Sequence, residues 1–192
     1  MQVMKRILTL LVIALLVLHL SFGQRLWATP SLGKSNYANL LAGEINVLKI
    51  FPKEKVEEIS GRKFVAVRPT LNKTTRFVEY ACEYREEATK YHEKLPLDIT
   101  KLISISFVRG EVKGIRNAYK LSSATTKQDP KIPFPHQLIF DQKGRFTTLE
   151  IFLADNLDLI VNTWNSTLTQ KEALKFVEAL ALYFKGYLQK LR

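Results

Sequence analysis

The first part of the chain is dominated by apolar positions. A short basic segment precedes an almost unbroken apolar run over residues 7–20. This run is shorter than the roughly 20 residues that a membrane-spanning helix needs. Small residues then lie at positions −3 and −1 relative to Gln24, which is the layout of a cleavable signal peptide. We therefore expect residues 1–23 to be removed and no permanent membrane anchor to remain; the alternative is an uncleaved N-terminal anchor.

The strongest helical pattern lies near the end of the chain. Apolar residues recur at helical spacing from Ala173 to Leu191 and leave only a narrow polar stripe. Thr169 and Glu172 have the T-x-x-E spacing of a capping box, which predicts that a helix begins there. An apolar face of this width indicates that most of the helix is buried.

Helical spacing also predicts shorter helices elsewhere. Residues 53–60 lie between Pro52 and Gly61, which suit the start and the end of a helix. Over residues 76–95 the apolar positions recur at intervals of three and four, which favours a helix, although the first eight also alternate as a strand would. The remaining predicted helices are 36–42 and 155–164, the latter with Leu157, Ile160, Val161 and Trp164 on one face.

Alternating or dense apolar positions predict the strands. The clearest unit is a hairpin in which two strands flank residues 141–144, with Gly144 at a turn position that requires positive φ. Residues 103–107 alternate between apolar residues and serine, as in a half-buried strand. Residues 122–136 are polar, contain three prolines and are expected to form a loop. The other predicted strands are 44–51, 63–69 and 111–121, with a turn over 70–74.

Together these elements predict an α+β fold. We expect an antiparallel sheet of about five strands that packs against the long C-terminal helix, because a hairpin-rich sheet commonly buries one face under helices. Residues 24–192 are long enough for a single domain with its own core.

The charge of the chain indicates an anionic partner. The formal net charge is +11, and two of the positive charges lie in the leader. A basic protein outside the cell meets anionic lipid, cell-wall polymer or acidic proteins, so we expect no nucleic acid partner. The densest basic run supplies four candidate binding residues, Arg109, Lys113, Arg116 and Lys120. On a regular strand these four would divide between two faces, and they form one patch only if a bulge at Gly114 twists the strand.

The use of cysteine indicates the compartment. Cys82 is the only cysteine, so no intramolecular disulfide can form, and we expect it to be a buried apolar residue. Small secreted eukaryotic domains usually carry several disulfides. The absence of disulfides favours a bacterial periplasmic or secreted protein. Two N-glycosylation acceptors, at Asn72 and Asn165, favour a eukaryotic secreted protein instead.

No residue pattern in the chain matches a known catalytic or cofactor motif. We therefore assign no catalytic residue, no metal site and no cofactor, and we expect an exported, non-enzymatic protein that binds an anionic or protein partner. One alternative is a carrier of a small apolar ligand in a pocket between the sheet and the C-terminal helix. Another is an enzyme or metal site that uses the carboxylates of Glu79, Glu83 and Glu87, which share one face if this segment is a helix.

Overall fold

The computed structural model describes residues 42–86, 101–112, 114 and 125–191. These residues belong to one compact unit, Lys34–Arg192. The elements that they complete are α1 (Val47–Ile50), α2 (Lys53–Ser60), β1 (Phe64–Lys73), β2 (Phe77–Glu86), β3 (Leu102–Gly110), β4 (Thr125–Lys127), β5 (His136–Phe140), β6 (Phe146–Ala154), β7 (Leu157–Asn162) and α3 (Gln170–Lys190).

The strands form one antiparallel sheet in the order β1-β2-β3-β7-β6-β5-β4. Two meanders, β1-β2-β3 and β4-β5-β6-β7, therefore meet at a seam between β3 and β7. The seam register runs from Ser104 opposite Asn162 to Arg109 opposite Leu157. The predicted α+β class and the antiparallel sheet are confirmed, but the sheet has seven strands where about five were expected.

The C-terminal helix packs against one face of the sheet, as predicted. Its capping box is present, because the Thr169 side chain accepts a hydrogen bond from the Glu172 backbone N–H and the Glu172 side chain accepts one from the Thr169 N–H. The ring of Phe184 is fully buried and lies 5.6 Å from that of Phe51, 5.7 Å from Phe107 and 5.6 Å from Phe134, measured between centroids. Helix α3 is thus joined to both meanders.

The opposite face of the central strands is buried as well. Asp158 and Glu150 are fully buried on neighbouring strands, and Gln137 donates a hydrogen bond to the Glu150 carboxylate. Val108 and Ile160 form an apolar cluster beside these polar groups, together with Val112. Because the middle of the sheet is covered on both sides, a strand such as β7 carries buried apolar residues on both faces and does not alternate simply between apolar and polar residues.

Two predicted helices are wrong for this reason. Residues 77–86 form β2, in which residues on both faces are buried, so the apolar positions imitate a helical stripe; residues 87–95 lie outside the described residues. Residues 157–162 form β7, of which the first five are buried. Ile160 is buried on the same face as Asp158, so the apolar run of residues 159–161 interrupts the alternation that indicates a strand.

Two predictions near the start of the described region are also wrong. Residues 44–51 are not a strand but include the short helix α1, whose first turn is capped by the side chain of Asn46. Pro69 does not end a strand, because β1 continues to Lys73 through the predicted turn. A proline is tolerated there because β1 is an edge strand, where its missing N–H disturbs no ladder bond.

Several local predictions are confirmed. Helix α2 ends at Gly61, which has a φ of 67°, and the hairpin turn places Gly144 at a φ of 73°. Strand β3 covers the predicted segment 103–107. In the predicted strand 111–121, Val112 and Gly114 are helical, and most other positions lie outside the described residues. Most of the predicted helix 36–42 and the whole leader also lie outside them.

Gly110 is required where β3 meets the β1–β2 hairpin. Its φ is 128°, and a Cβ at this position would lie 2.3 Å from the carbonyl oxygen of Arg76. Only glycine allows this approach, which lets the N–H of Glu111 donate a hydrogen bond to the same carbonyl at 3.0 Å.

Candidate functional site

The predicted basic site is only partly within the described residues. Arg109 lies near the end of β3, where its Nη2 donates a hydrogen bond to the Gly43 carbonyl at 2.7 Å. Its guanidinium carbon is 5.5 Å from the ring centroid of Tyr80. Arg109 thus fixes the segment before α1 against the sheet. Three further predicted residues lie outside the described residues: Lys113, Arg116 and Lys120.

The carboxylates of the alternative acidic site do not share a helix. Glu79 and Glu83 are four positions apart along β2, a distance of about 13 Å at the rise of a strand. Glu83 pairs with Arg85 at 3.0 Å, and Glu87 lies outside the described residues. In the part of the chain that the structure describes, no three His, Cys, Asp or Glu residues are grouped so that they could hold a metal ion.

Three described side chains that could act as nucleophiles or bases are buried. Cys82 is fully buried and free, as predicted, and burial raises the pKa of its thiol. The Tyr84 hydroxyl is also buried, which raises its pKa, and it donates a hydrogen bond to the carbonyl of Phe51. His136 is buried at the start of β5, where Nε2 accepts a hydrogen bond from the Asp129 N–H at 3.0 Å and Nδ1 lies 2.7 Å from the Phe134 carbonyl oxygen. Both of its ring nitrogens are therefore occupied.

The space beneath α3, where an apolar ligand was considered, is filled in the described region by large side chains. Phe176, Leu180 and Phe184 of the helix are all buried, and Phe184 contacts three other aromatic rings.

The outer edge of β1 is a long, exposed edge of the sheet. No described residue pairs with this edge, which is ten residues long. Val65 is 64% exposed and Leu71 is 49% exposed, and both are apolar side chains of this strand. An exposed edge of this kind presents backbone groups to which another extended chain can bind.

The backbone of β1 offers hydrogen bonds at known positions. A proline in a paired edge strand turns its nitrogen away from the neighbouring strand. Pro69 lies opposite Cys82, and in an antiparallel ladder the direction of the backbone groups alternates along the strand. The N–H groups of Val67 and Leu71 therefore also point away from β2, while Pro69 contributes only its carbonyl to the free edge.

The charge of this edge is positive. Residues 61–76 contain five cationic side chains and no acidic one. Two of the five are paired, Arg62 with Glu172 at 3.0 Å and Lys63 with Glu57 at 3.1 Å. The other three are exposed and form no ion pair among the described residues: Arg68, Lys73 and Arg76.

A cleft of about 540 Å³ adjoins the edge. Its walls include Leu48, which is 38% exposed, together with Pro69, Leu71 and Tyr80. Arg109, which was predicted to bind an anion, fixes one side of this cleft through its contacts with Tyr80 and Gly43. The edge therefore combines free backbone groups, unpaired cations and an apolar recess, and we refer to β1 with this cleft as the β1 edge.

No family model, no curated protein and no solved structure matches this chain. Within residues 42–86, 101–112 and 125–191, no helix has the length and apolar character needed to cross a bilayer.

The cations of the β1 edge were not predicted as a site, because Pro69 indicated the end of the strand. The available signal was the composition of residues 61–76, in which every charged side chain is basic. Trp164 was also misplaced, on the apolar face of a predicted helix, although the polar residues 165–167 that follow it are typical of a loop.

Proposed function

We propose that this protein is a non-enzymatic binding protein that recognises an extended, acidic segment of a partner protein at the β1 edge. The observation that carries the proposal is a ten-residue edge strand whose exposed cations form no ion pair, and whose outward N–H groups have no strand partner, among the described residues. An added strand would obtain its affinity from main-chain hydrogen bonds and its specificity from side chains that enter the adjoining cleft.

Charge selects this partner over a second copy of the same chain. Two β1 edges brought together would place Arg68 and Lys73 of one copy near those of the other, and such like charges repel each other. An acidic strand reverses the sign of this interaction. The apolar recess at Leu48 and Leu71 favours a segment in which apolar residues alternate with the acidic ones.

The first experiment compares two labelled ten-residue peptides by fluorescence anisotropy, one of alternating Glu and Val and the other of alternating Lys and Val. We expect the Glu peptide to bind, and its affinity to fall when the salt concentration rises from about 50 to about 500 mM. We expect no binding of the Lys peptide. Equal binding of both peptides, or no binding of the Glu peptide, would refute the proposal.

A backbone variant separates strand addition from attraction by charge alone. Leu71→Pro removes one outward N–H but leaves the pairing with β2 intact, so we expect the affinity to fall by about tenfold or more without loss of the fold. Leu71→Val keeps the N–H and serves as the matched control, with a change of less than about threefold. Circular dichroism verifies that both variants are folded. A Leu71→Pro protein that binds as well as the control would exclude strand addition.

Charge reversal distinguishes the β1 edge from the basic run found in the sequence. Arg68→Glu with Lys73→Glu should abolish binding of the Glu peptide, whereas Lys113→Glu with Arg116→Glu should change it little. The opposite result would show that the partner binds the basic run instead.

We also propose that the protein acts in the periplasm or outside the cell after removal of residues 1–23. The basic and apolar halves of the leader and the small residues before Gln24 support this. N-terminal sequencing of the exported protein should begin near Gln24, and an intact Met1 would contradict cleavage.

A further inference from the structure

A second cleft, of about 470 Å³, lies between the β5–β6 turn and the segment that joins β7 to α3. This volume is within the range of small-molecule sites. The cleft shares no lining residue with the β1 edge, and its walls include Lys101, Asp141, Arg145, Trp164 and Gln170.

The indole of Trp164 is 70% exposed although it is carried by a firmly held segment. The N–H of Thr163 donates to the Thr147 carbonyl at 2.9 Å, and the N–H of Ser166 donates to the Thr163 carbonyl at 3.0 Å. Thr167 donates through both its N–H and its hydroxyl to the buried carboxylate of Glu86. The backbone is therefore held on both sides of Trp164, and this held segment presents a large apolar ring to solvent, which lowers the ordering cost of binding.

The polar wall of the cleft is cationic. Asp141 accepts hydrogen bonds from the N–H groups of Lys143 and Arg145, and its other oxygen is 2.8 Å from Nε of Arg145 and 2.7 Å from Nη2. Its charge is thus balanced by Arg145, whose side chain is still 68% exposed. The ammonium group of Lys101 forms no ion pair within the described part of the chain, which leaves an excess of positive charge beside the indole.

We propose that this cleft binds an anionic saccharide. A sugar ring has an apolar C–H face that can lie on the exposed face of Trp164, and hydroxyl groups that can bond to the amide of Gln170. A carboxylate or sulfate on the sugar would bind Lys101 and the free N–H groups of Arg145. A purely apolar ligand would leave these cations without a partner, and single-stranded nucleic acid usually requires a longer basic groove with several stacking rings.

The test uses the fluorescence of Trp164 in a Trp27→Phe background, because these are the two tryptophans of the chain. Four probes are titrated separately: a hexamer of galacturonate, neutral maltohexaose, a short polyglutamate peptide and a dT hexanucleotide. We expect the galacturonate hexamer to change the emission with a Kd at least about tenfold below that of maltohexaose. We expect no change with the other two probes.

Each other result is decisive. Equal affinity for maltohexaose would show that the anionic group does not contribute to binding. An equal response to polyglutamate would show that the cleft binds anions without selecting a sugar. A stronger response to the dT hexanucleotide would assign the cleft to nucleic acid, and no response to any probe would overturn the proposal.

Two variants locate the binding. Lys101→Gln should weaken galacturonate binding by about fivefold to tenfold. The control Lys143→Gln removes a cation of the β5–β6 turn that does not line the cleft and should leave binding unchanged. Calorimetry with Trp164→Ala should show no binding, and this exposed residue can be replaced without loss of the fold. The Leu71→Pro variant should bind the saccharide normally, so failure of one proposal is distinguishable from failure of the other.

Discussion

Replacement of Phe184 by alanine tests whether the C-terminal helix holds the two meanders together. Phe184 is fully buried and its ring contacts those of Phe51, Phe107 and Phe134. Removal of a buried phenyl group destabilises a protein by about 3–5 kcal/mol. We expect a value in the upper part of this range, because three aromatic pairs are lost and each adds about 0.5–1.5 kcal/mol. The three contributions do not simply add, since the pairs share one ring.

The expected loss is large compared with the total stability of a domain, which is about 5–15 kcal/mol. For a chain of this size it corresponds to a fall in Tm of roughly 6–20 °C. The assay is urea unfolding followed by circular dichroism, with the free energy compared at a constant m value. If Phe184→Ala does not fold, Phe184→Leu provides the same test with an expected cost of about 1–2 kcal/mol.

Leu182→Ala is the matched control on the same helix. Leu182 is 53% exposed, so its truncation should change the free energy of unfolding by less than about 0.5 kcal/mol. If Phe184→Ala costs no more than Leu182→Ala, α3 does not pack on the sheet as described, and the two-layer architecture is refuted.

Three further predictions concern single residues. Gly110→Ala should lower the free energy of unfolding by more than about 2 kcal/mol, because the new Cβ would collide with the Arg76 carbonyl. The control Gly61→Ala also places alanine at a positive φ, but no atom lies within 4 Å of its Cβ, so it should cost only about 1 kcal/mol. The backbone N–H of Arg145 holds the pKa of Asp141 below its usual 3.8. The charged carboxylate therefore stabilises the fold at pH values above its unfolded pKa, and this contribution is lost as the pH falls through the lower folded pKa. Between pH 6 and pH 2.5 the urea midpoint should therefore fall further for the parent protein than for Asp141→Asn. Cys82 should not react with a thiol reagent in the native protein and should react fully in urea; rapid native labelling would contradict its burial.

Local signals were sufficient where one short segment determines its own structure. The capping box at Thr169, the left-handed positions of Gly61 and Gly144, and the alternation of residues 103–107 each depend on neighbours within a few residues. Such features can be read from the sequence because their hydrogen bonds and sterics are local.

Tertiary context decided the segments that were predicted wrongly. In β7 the buried Ile160 interrupts the alternation that begins at Leu157, and in β2 the alternation of the first residues competes with apolar positions at helical spacing. The β1 edge could not be predicted because the position of a strand in the sheet order depends on pairings far apart in sequence. The exposure of Trp164 likewise depends on the hydrogen bonds that hold the segment after β7 against other parts of the fold.

The seam between β3 and β7 has a consequence for how the chain folds. Each meander is built from strands that follow one another closely, whereas the seam pairs residues roughly fifty positions apart, and such distant pairings form slowly because a long loop must close first. We therefore expect the two meanders to collapse independently and the seam to form in the rate-limiting step. Until then, the inner strand of each half is itself an unprotected edge, so the protein should be most prone to aggregate during refolding and not in its native state.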